Sequence, residues 1–371
     1  MTWTPTRPRR TRRTIDLLYV ASGTTAGLRQ ADAEMLGALR DLGLDIVTVT
    51  PTSSEPWLVR RYVNRSLLTI DAFESFAVRR ATTRALRSHT PRAIIYSTTH
   101  AAMLSPRRGA RERVAIRFDT PAQMSRTGRA YRVEHVLERR RFERAQLLMP
   151  AALDVAQDAA RVLPAQTPVV AIPIPIELGS APPAVRDPIA VLYAGSPEKK
   201  GLDVAVRAWT RSAPADRQLI ITGIDRERGL RHLADRGIAE PPAARWTGMI
   251  SPEQHRALTR RAEIYLAASR YENYGIGPLE ALADGCALVT TPSPGPFAAL
   301  PIARELDHRL VADDDSPAAL TAALQKAFAR GEDERATYRV RARDRVRAFS
   351  REETTRRLRE QVLPLLLGQT N

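Results

Sequence analysis

The sequence predicts an α/β protein with two domains facing each other across a cleft, each a mostly parallel sheet covered by helices. Short apolar, β-branched runs alternate with helical patterns from Thr14 onward, residues 173–188 (PIPIELGSAPPAVRDP) break the alternation with five prolines and no periodicity, and the alternation restarts at Ile189. A chain of 371 residues with 43% hydrophobic content can fill two substantial cores, whereas one domain of that length would be unusually large.

In the first half, strands are expected at 14–20, 45–50, 93–97, 114–118, 147–149 and 169–172. Helices are expected at 28–42, with an apolar stripe of Ala31, Met35, Leu39 and Leu42, and at 66–87 and 133–144. In the second half the expected strands are 189–193, 218–222, 245–248, 264–267 and 287–290, and the expected helices are 201–209, 227–235, 252–260, 278–284, 317–330, 334–347 and 350–366. The predicted organisation is a basic flexible N-terminus (1–13), a first domain (14–172), a linker (173–188), a second domain (189–349) and a terminal segment (350–371).

No apolar run approaches the roughly 20 residues needed to span a bilayer, and the arginine-rich start is followed only by the short run Leu17 to Ala21, so a cytoplasmic protein is expected. Cys286 is the only cysteine, which excludes an internal disulfide and a thiolate metal cluster. The formal charge of +16 is uneven: residues 1–172 hold 28 Arg and no Lys against 15 acidic residues, while the rest is nearly balanced. An electropositive first half attracts an anionic acceptor, a nucleic acid or an acidic membrane surface, and charge does not choose among these. Residues 76–87, FAVRRATTRALR, read either as an interfacial helix, which implies peripheral attachment at the inner membrane surface, or as an arginine-rich solvated helix.

Only three lysines occur, at 199, 200 and 326, so the adjacent pair in the glycine-containing turn YAGSPEKKGLD stands out. Lys200, just before Gly201 at a helix start, suits a diphosphate and the negative charge that develops as a sugar leaves; Lys199 either shares this role or, as an adjacent residue at a helix start, points in a different direction. The segment SRYENYGIGPLEALADG follows a strand. Gly275 and Gly277 permit a close or unusual backbone path, Pro278 fits a first helical position, and Gly285 is a helix stop. With Gly277 as N-cap, Glu280 falls in the first turn, either capping the helix or accepting two vicinal hydroxyls, and the turn's amides suit a phosphate or a sugar hydroxyl. Glu272 reads as a surface residue or as a carboxylate facing the cleft from the other side. In the first domain, Gly23 to Gly27 form a tight turn or an amide approach to substrate, without a dinucleotide GxGxxG spacing. His100, after the strand end YSTTH, and Asp119, in IRFDTP, are site candidates with equally available structural roles. His89, His135, His232, His255 and His308 form no metal constellation, and Asp313 to Asp315 read as a solvated turn, so no metal site is expected.

Four segments in order, GSPEKKGLD, TGMISPEQHRALTRRAEIYLAAS, SRYENYGIGPLEALADGCALVTT and FSREETTRRL, resemble the retaining glycosyltransferases of family four, strongly over 189–358 and diffusely before that. The resemblance implies the GT-B fold of two Rossmann-like domains and a metal-independent transfer of a hexosyl group from a nucleoside diphosphate sugar, with no tightly bound cofactor and no specific nucleic-acid partner. It implies that Glu272 contacts the transferred sugar, Glu280 the ribose hydroxyls and Lys200 the diphosphate. Gly195, Ser196, Tyr274, Gly275, Ile276 and Gly277 would line the donor, IPIPIEL (172–178) would form the first crossover, and the terminal helix would return to the first domain. Two departures stand out. Ser196 occupies the place of the family's phosphate-binding Arg, in a loop one residue shorter, and Phe118 occupies the place of the His that precedes Asp119, a role that Arg117 or His100 would take in part. A sugar phosphorylase, a sugar-nucleotide epimerase and a non-catalytic binder of anionic polymers are the alternative readings.

Overall fold

The computed structural model describes residues 12–23, 25–51, 67–106, 113–126, 128–152, 157, 159–181, 183 and 185–368. The arginines at 7, 9 and 10, Thr24 in the first glycine loop, and Ser66 at the expected start of the second helix lie outside the described residues. The chain divides into two compact units, Met1–Pro175 with Arg351–Asn371, and Ile176–Ser350.

The first unit is built on β1 (Arg13–Val20), α1 (Ala26–Arg40), β2 (Ile46–Val49), α2 (Leu67–Ser88), β3 (His89–Tyr96), α3 (Thr99–Met103), β4 (Arg113–Phe118), α4 (Ala122–Ser125), α5 (Arg132–Phe142) and β5 (Leu147–Pro150). Its strands are parallel in the order β2-β1-β3-β4-β5. Both faces of β1 are covered, which explains the apolar run Leu17 to Val20. Leu17 and Tyr19 pack with Met35 and Leu39 of α1, while Leu18 and Val20 pack with Val78 and Leu86 of α2 and Phe142 of α5. Arg13 opens β1 and donates to the Asp45 carboxylate at 2.8 and 2.9 Å.

The chain's last helical run comprises α13 (Arg351–Arg357), a π turn (Leu358–Val362) and α14 (Leu363–Leu367). Leu358, Val362 and Leu366 recur every four residues and are fully buried against the Leu17 side of the sheet, while Arg351 pairs with Glu34 of α1 at 2.7 Å.

The second unit contains β6 (Asp187–Tyr193), α6 (Leu202–Ser212), β7 (Gln218–Thr222), α7 (Arg226–Ala234), β8 (Ala244–Gly248), α8 (Pro252–Arg261), β9 (Ala262–Ala267), α9 (Ile276–Ala283), β10 (Ala287–Thr290), α10 (Ala299–Asp307), α11 (Pro317–Phe328) and α12 (Glu332–Arg345). Its strands are parallel in the order β10-β9-β6-β7-β8. Trp209 of α6 is buried edge-on against Phe328 of α11, with ring centroids 5.9 Å apart.

Two local features depart from the expectations. Residues 169–172 run beside β5 through single hydrogen bonds (Val170 N to Leu148 O, Ile172 N to Pro150 O), but only an isolated bridge at Val169 forms. Helix α10 was not among the expected elements, and it contains Pro301. The proline stands in the first turn, where its missing N–H costs no intrahelical bond.

Candidate active site

In each sheet the strand order reverses beside the first strand of the unit, so the loops leaving two neighbouring strands diverge and open a crevice at their carboxyl ends. In the second unit these strands are β6 and β9. The loop after β6 carries Gly195 to Gly201, and the loop after β9 carries Ala268 to Gly275.

The two loops meet through side chains. Lys200 Nζ donates to Glu272 Oε2 at 2.5 Å, and Ser269 Oγ donates to the same oxygen at 3.0 Å. Glu272 is buried, and its own N–H donates to Pro294 O, which fixes the backbone that carries the carboxylate. The approach depends on Gly201, whose φ is +60° and where an added Cβ would stand 1.9 Å from Ala268 O. No side chain fits between the start of α6 and the end of β9.

A clamp from outside the pair fixes the lysine loop. Arg270 donates from its backbone to Lys199 O at 2.9 Å and from its guanidinium to Glu198 O at 2.6 Å and Asp203 Oδ2 at 2.7 Å. Burial raises the Asp203 pKa, but the hydrogen bond and charge of Arg270 outweigh it and leave the carboxyl below its ordinary value. The sequence reading missed Arg270 and Asp203, although both lie inside the quoted segments; neither residue type at its position names the other.

Helix α9 begins two residues earlier than expected. Gly275, at φ +86°, is the N-cap, and a Cβ there would meet the Phe297 ring at 2.7 Å. Glu280 is therefore the fifth helical residue and no cap. Its Oε1 lies 3.7 Å from Arg256, which also pairs with Asp284. The N-cap brings no side-chain acceptor and Pro278 brings no N–H, so the amides of Ile276 and Gly277 form the unspent donor edge of the helix. Tyr274, beside them, is buried and its carbonyl accepts from Ala298 N at 3.0 Å.

Beneath these loops His255 contacts the rings of Tyr193 and Tyr265 edge-on, with Nδ1 3.2 Å from Thr222 Oγ1. Burial, assisted by the Arg256 charge, pushes its pKa down to about 4, so the ring is neutral at ordinary pH. Burial pushes the Tyr265 hydroxyl up, and the carboxylates of Glu280 and Glu272 push it the same way. A Cβ on Gly195 would stand 2.4 Å from the Tyr193 hydroxyl, so this glycine lies flat on the tyrosine. Ser196 is exposed and its carbonyl accepts from Lys200 N at 2.8 Å; it shapes the turn that carries the lysine. Cys286 is fully buried, with its thiol directed at Thr259 O and its pKa pushed up to about 12 by burial.

In the first unit, Gly23 and His100 follow β1 and β3, the pair beside which that sheet reverses, and Asp119 follows β4. Gly23 has φ +64° and its carbonyl accepts from Arg29 at 3.1 Å. His100 Nε2 lies 3.0 Å from the buried Glu134. Arg117 is spent in a buried network: it donates to the Tyr19 hydroxyl at 2.9 Å and stands 3.8 Å from Asp32, to which Tyr19 donates at 2.9 Å. Phe118 packs on Phe142 with ring centroids 5.2 Å apart. Lys200, Glu272, Gly195, Ser196 and Tyr274 to Glu280 thus belong to one unit, and Gly23, His100 and Asp119 to the other.

Among the described residues no group of three or more His, Cys, Asp or Glu is placed to hold a metal ion, and no helix is long and apolar enough to cross a membrane.

The architecture matches known structures over nearly the whole chain. Sucrose-phosphate synthase from Thermosynechococcus elongatus aligns with a TM-score of 0.71 at 15% identity, covering 96% of this chain and all of its own. The fold is GT-B. The HepE protein of Anabaena, solved in complex with UDP-glucose, aligns at a TM-score of 0.65 and 14% identity over 95% of this chain and 99% of its own. A glycosyltransferase from Rickettsia africae aligns at 0.64 and 13% over 96% of this chain and 100% of its own. Residues 188–330 match the family of group 1 glycosyl transferases. No curated protein matches the sequence. The matched family segment opens on β6 and contains Lys200, Glu272 and Glu280.

Proposed function

We propose that this protein is a retaining glycosyltransferase that moves a hexosyl group from a nucleoside diphosphate sugar to an acceptor hydroxyl. The observation that carries this is the Lys200–Glu272 pair at the carboxyl ends of β6 and β9, beside the uncapped first turn of α9. A cation and helix amides suit a diphosphate, while a buried, oriented carboxylate suits sugar hydroxyls. The match of residues 188–330 to group 1 glycosyl transferases, and the UDP-glucose complex of a similarly folded protein, support the same donor class.

In this reading Lys200 and the amides of Ile276 and Gly277 hold the diphosphate and stabilise its charge as the glycosidic bond breaks. Glu272 orients the sugar, and Glu280 receives the ribose hydroxyls. Gly195, Ser196 and Tyr274 to Gly277 line the donor, and Gly23, His100 and Asp119 remain the first unit's candidates. Departure and attack occur on the same face of the sugar, and a leaving-phosphate oxygen takes the acceptor proton, so no protein nucleophile is required. The Arg missing at Ser196 leaves Lys200 as the principal cation of the phosphate pocket.

The acceptor is read as anionic or membrane-associated, and the protein as cytoplasmic and peripheral at the inner membrane surface. Helix α2 supports this: Phe76 is half exposed and lies with Arg79, Arg80, Thr83, Arg84 and Arg87 along a groove of about 370 Å3. Anionic vesicles pelleting the protein no better than neutral ones would remove the membrane version and leave a soluble anionic acceptor.

The deciding experiment is a thermal-shift screen against UDP-, GDP-, ADP- and dTDP-sugars, followed by transfer of labelled sugar from whichever donor stabilises the protein. One base is expected to raise Tm through preferential binding to the native state. A flat response to all four overturns the reading.

A further inference from the structure

At the N-terminal edge of the second unit's sheet, away from the strand ends that carry Lys200 and Glu272, lies a cavity of about 400 Å3. It opens beside Arg186, Glu263 and Ala287, where β6, β9 and β10 begin. Arg330, Arg335 and Arg339 join Arg186 in its wall, against only two carboxylates, Glu263 and Glu332.

Both carboxylates are committed. Glu263 pairs with Arg335 at 2.7 Å and also with Arg217, and Glu332 pairs with Arg339 at 2.8 Å. Arg186 donates to the carbonyls of Ala262 and Asp284 and to the Cys286 sulfur, all uncharged. Arg330 is 6% exposed, lies over the Tyr338 ring at 4.5 Å, and holds its Nε 3.9 Å from Asp307, with no hydrogen-bond partner on that atom. The wall therefore carries an excess of positive charge that its own carboxylates do not neutralise. Guanidinium groups present planar donor forks matched to phosphate oxygens, and Val185, Ala287 and Ala327 leave apolar wall for a carbon skeleton. The volume lies in the range of small-molecule sites.

We propose that this cavity binds a small organic phosphate of sugar-phosphate size, at a site separate from the Lys200–Glu272 pair. The chemistry follows from the surplus of arginine forks around a solvent-open, partly apolar volume. It does not depend on the donor site being a glycosyltransferase site.

Calorimetric titration of the full chain at constant ionic strength tests this, with glucose 6-phosphate as probe and glucose as the uncharged control. Saturable binding of the phosphate alone is expected. Arg339→Glu is expected to weaken it at least roughly tenfold, and Glu332→Gln, which removes a competing carboxylate, to tighten it several-fold. Lys200→Ala should leave it unchanged. Circular dichroism checks that Arg339→Glu is folded; should it unfold, Glu332→Gln decides alone. Absence of saturable binding to the wild-type chain, indifference to Glu332→Gln, or loss in Lys200→Ala overturns the proposal.

Discussion

Lys200 and Glu272 stand 72 residues apart in sequence, yet Nζ meets Oε2 at 2.5 Å, with Ser269 on the same oxygen. The contact exists because β6 and β9 are neighbours in the sheet and Gly201 lets their loops close. In the proposed reading, an incoming diphosphate would compete for the lysine and free the carboxylate for sugar hydroxyls. Lys200→Ala is therefore expected to lower kcat/KM for the donor by about two orders of magnitude, in the range of removing one charge-stabilising donor. Steady-state kinetics with the donor found in the thermal-shift screen checks this, and unchanged donor kinetics would sink the assignment.

Arg270 and Asp203 act on Lys200 through the loop. Asp203→Asn weakens the charge-assisted bond that aims the guanidinium at Glu198 O. Donor KM is expected to rise about fivefold, near 1 kcal/mol, with kcat and Tm changing little because the pair is partly solvated. Arg270→Lys should not rescue, since one ammonium does not span both acceptors. A drop in Tm without a KM change would mark the clamp as purely structural.

Gly201 is expected to tolerate no side chain. Gly201→Ala places a Cβ 1.9 Å from Ala268 O in a left-handed conformation, so the backbone must move. A loss of roughly 3 kcal/mol or more is expected in urea unfolding, together with loss of donor binding. A variant of wild-type stability would show that the two loops separate at little cost.

Glu138 ties stability of the first unit to pH. Its carboxylate accepts from Ala122 N at 2.9 and 3.0 Å, yet burial outweighs this and raises its pKa from 4.5 to about 7. The folded state thus holds this proton more tightly than the unfolded state. The contribution is fully present below about pH 4.5 and is lost as pH rises to about 7. Relative to Glu138→Gln, wild-type unfolding free energy should fall across that window and run parallel above it. Parallel curves throughout would refute the shift.

The alternation of apolar strands and helices was legible because each element writes its own periodicity, and Lys200, Glu272 and Glu280 stood out as candidates because they sit in short segments with glycines at telling positions. The strand expected at 169–172 meets β5 through one bridge only, and helix α10, to which no expectation was attached, accommodates Pro301 because it stands in the first turn. The N-cap is Gly275 rather than Gly277, and both positions are closed to a side chain, by Phe297 and by the Tyr265 hydroxyl, contacts that only the tertiary structure supplies.

The sequence by itself determined two α/β units, a single cysteine, an arginine-biased first half and the residue types of the site proposed to bind the donor. Only the tertiary structure decided which charges meet: Lys200 with Glu272, Arg270 with Asp203, Arg117 with Tyr19 and Asp32, and His100 with Glu134. Periodicity encodes which face of an element is buried, whereas ion pairing depends on strand order and loop closure, which bring together residues with no local signal for one another.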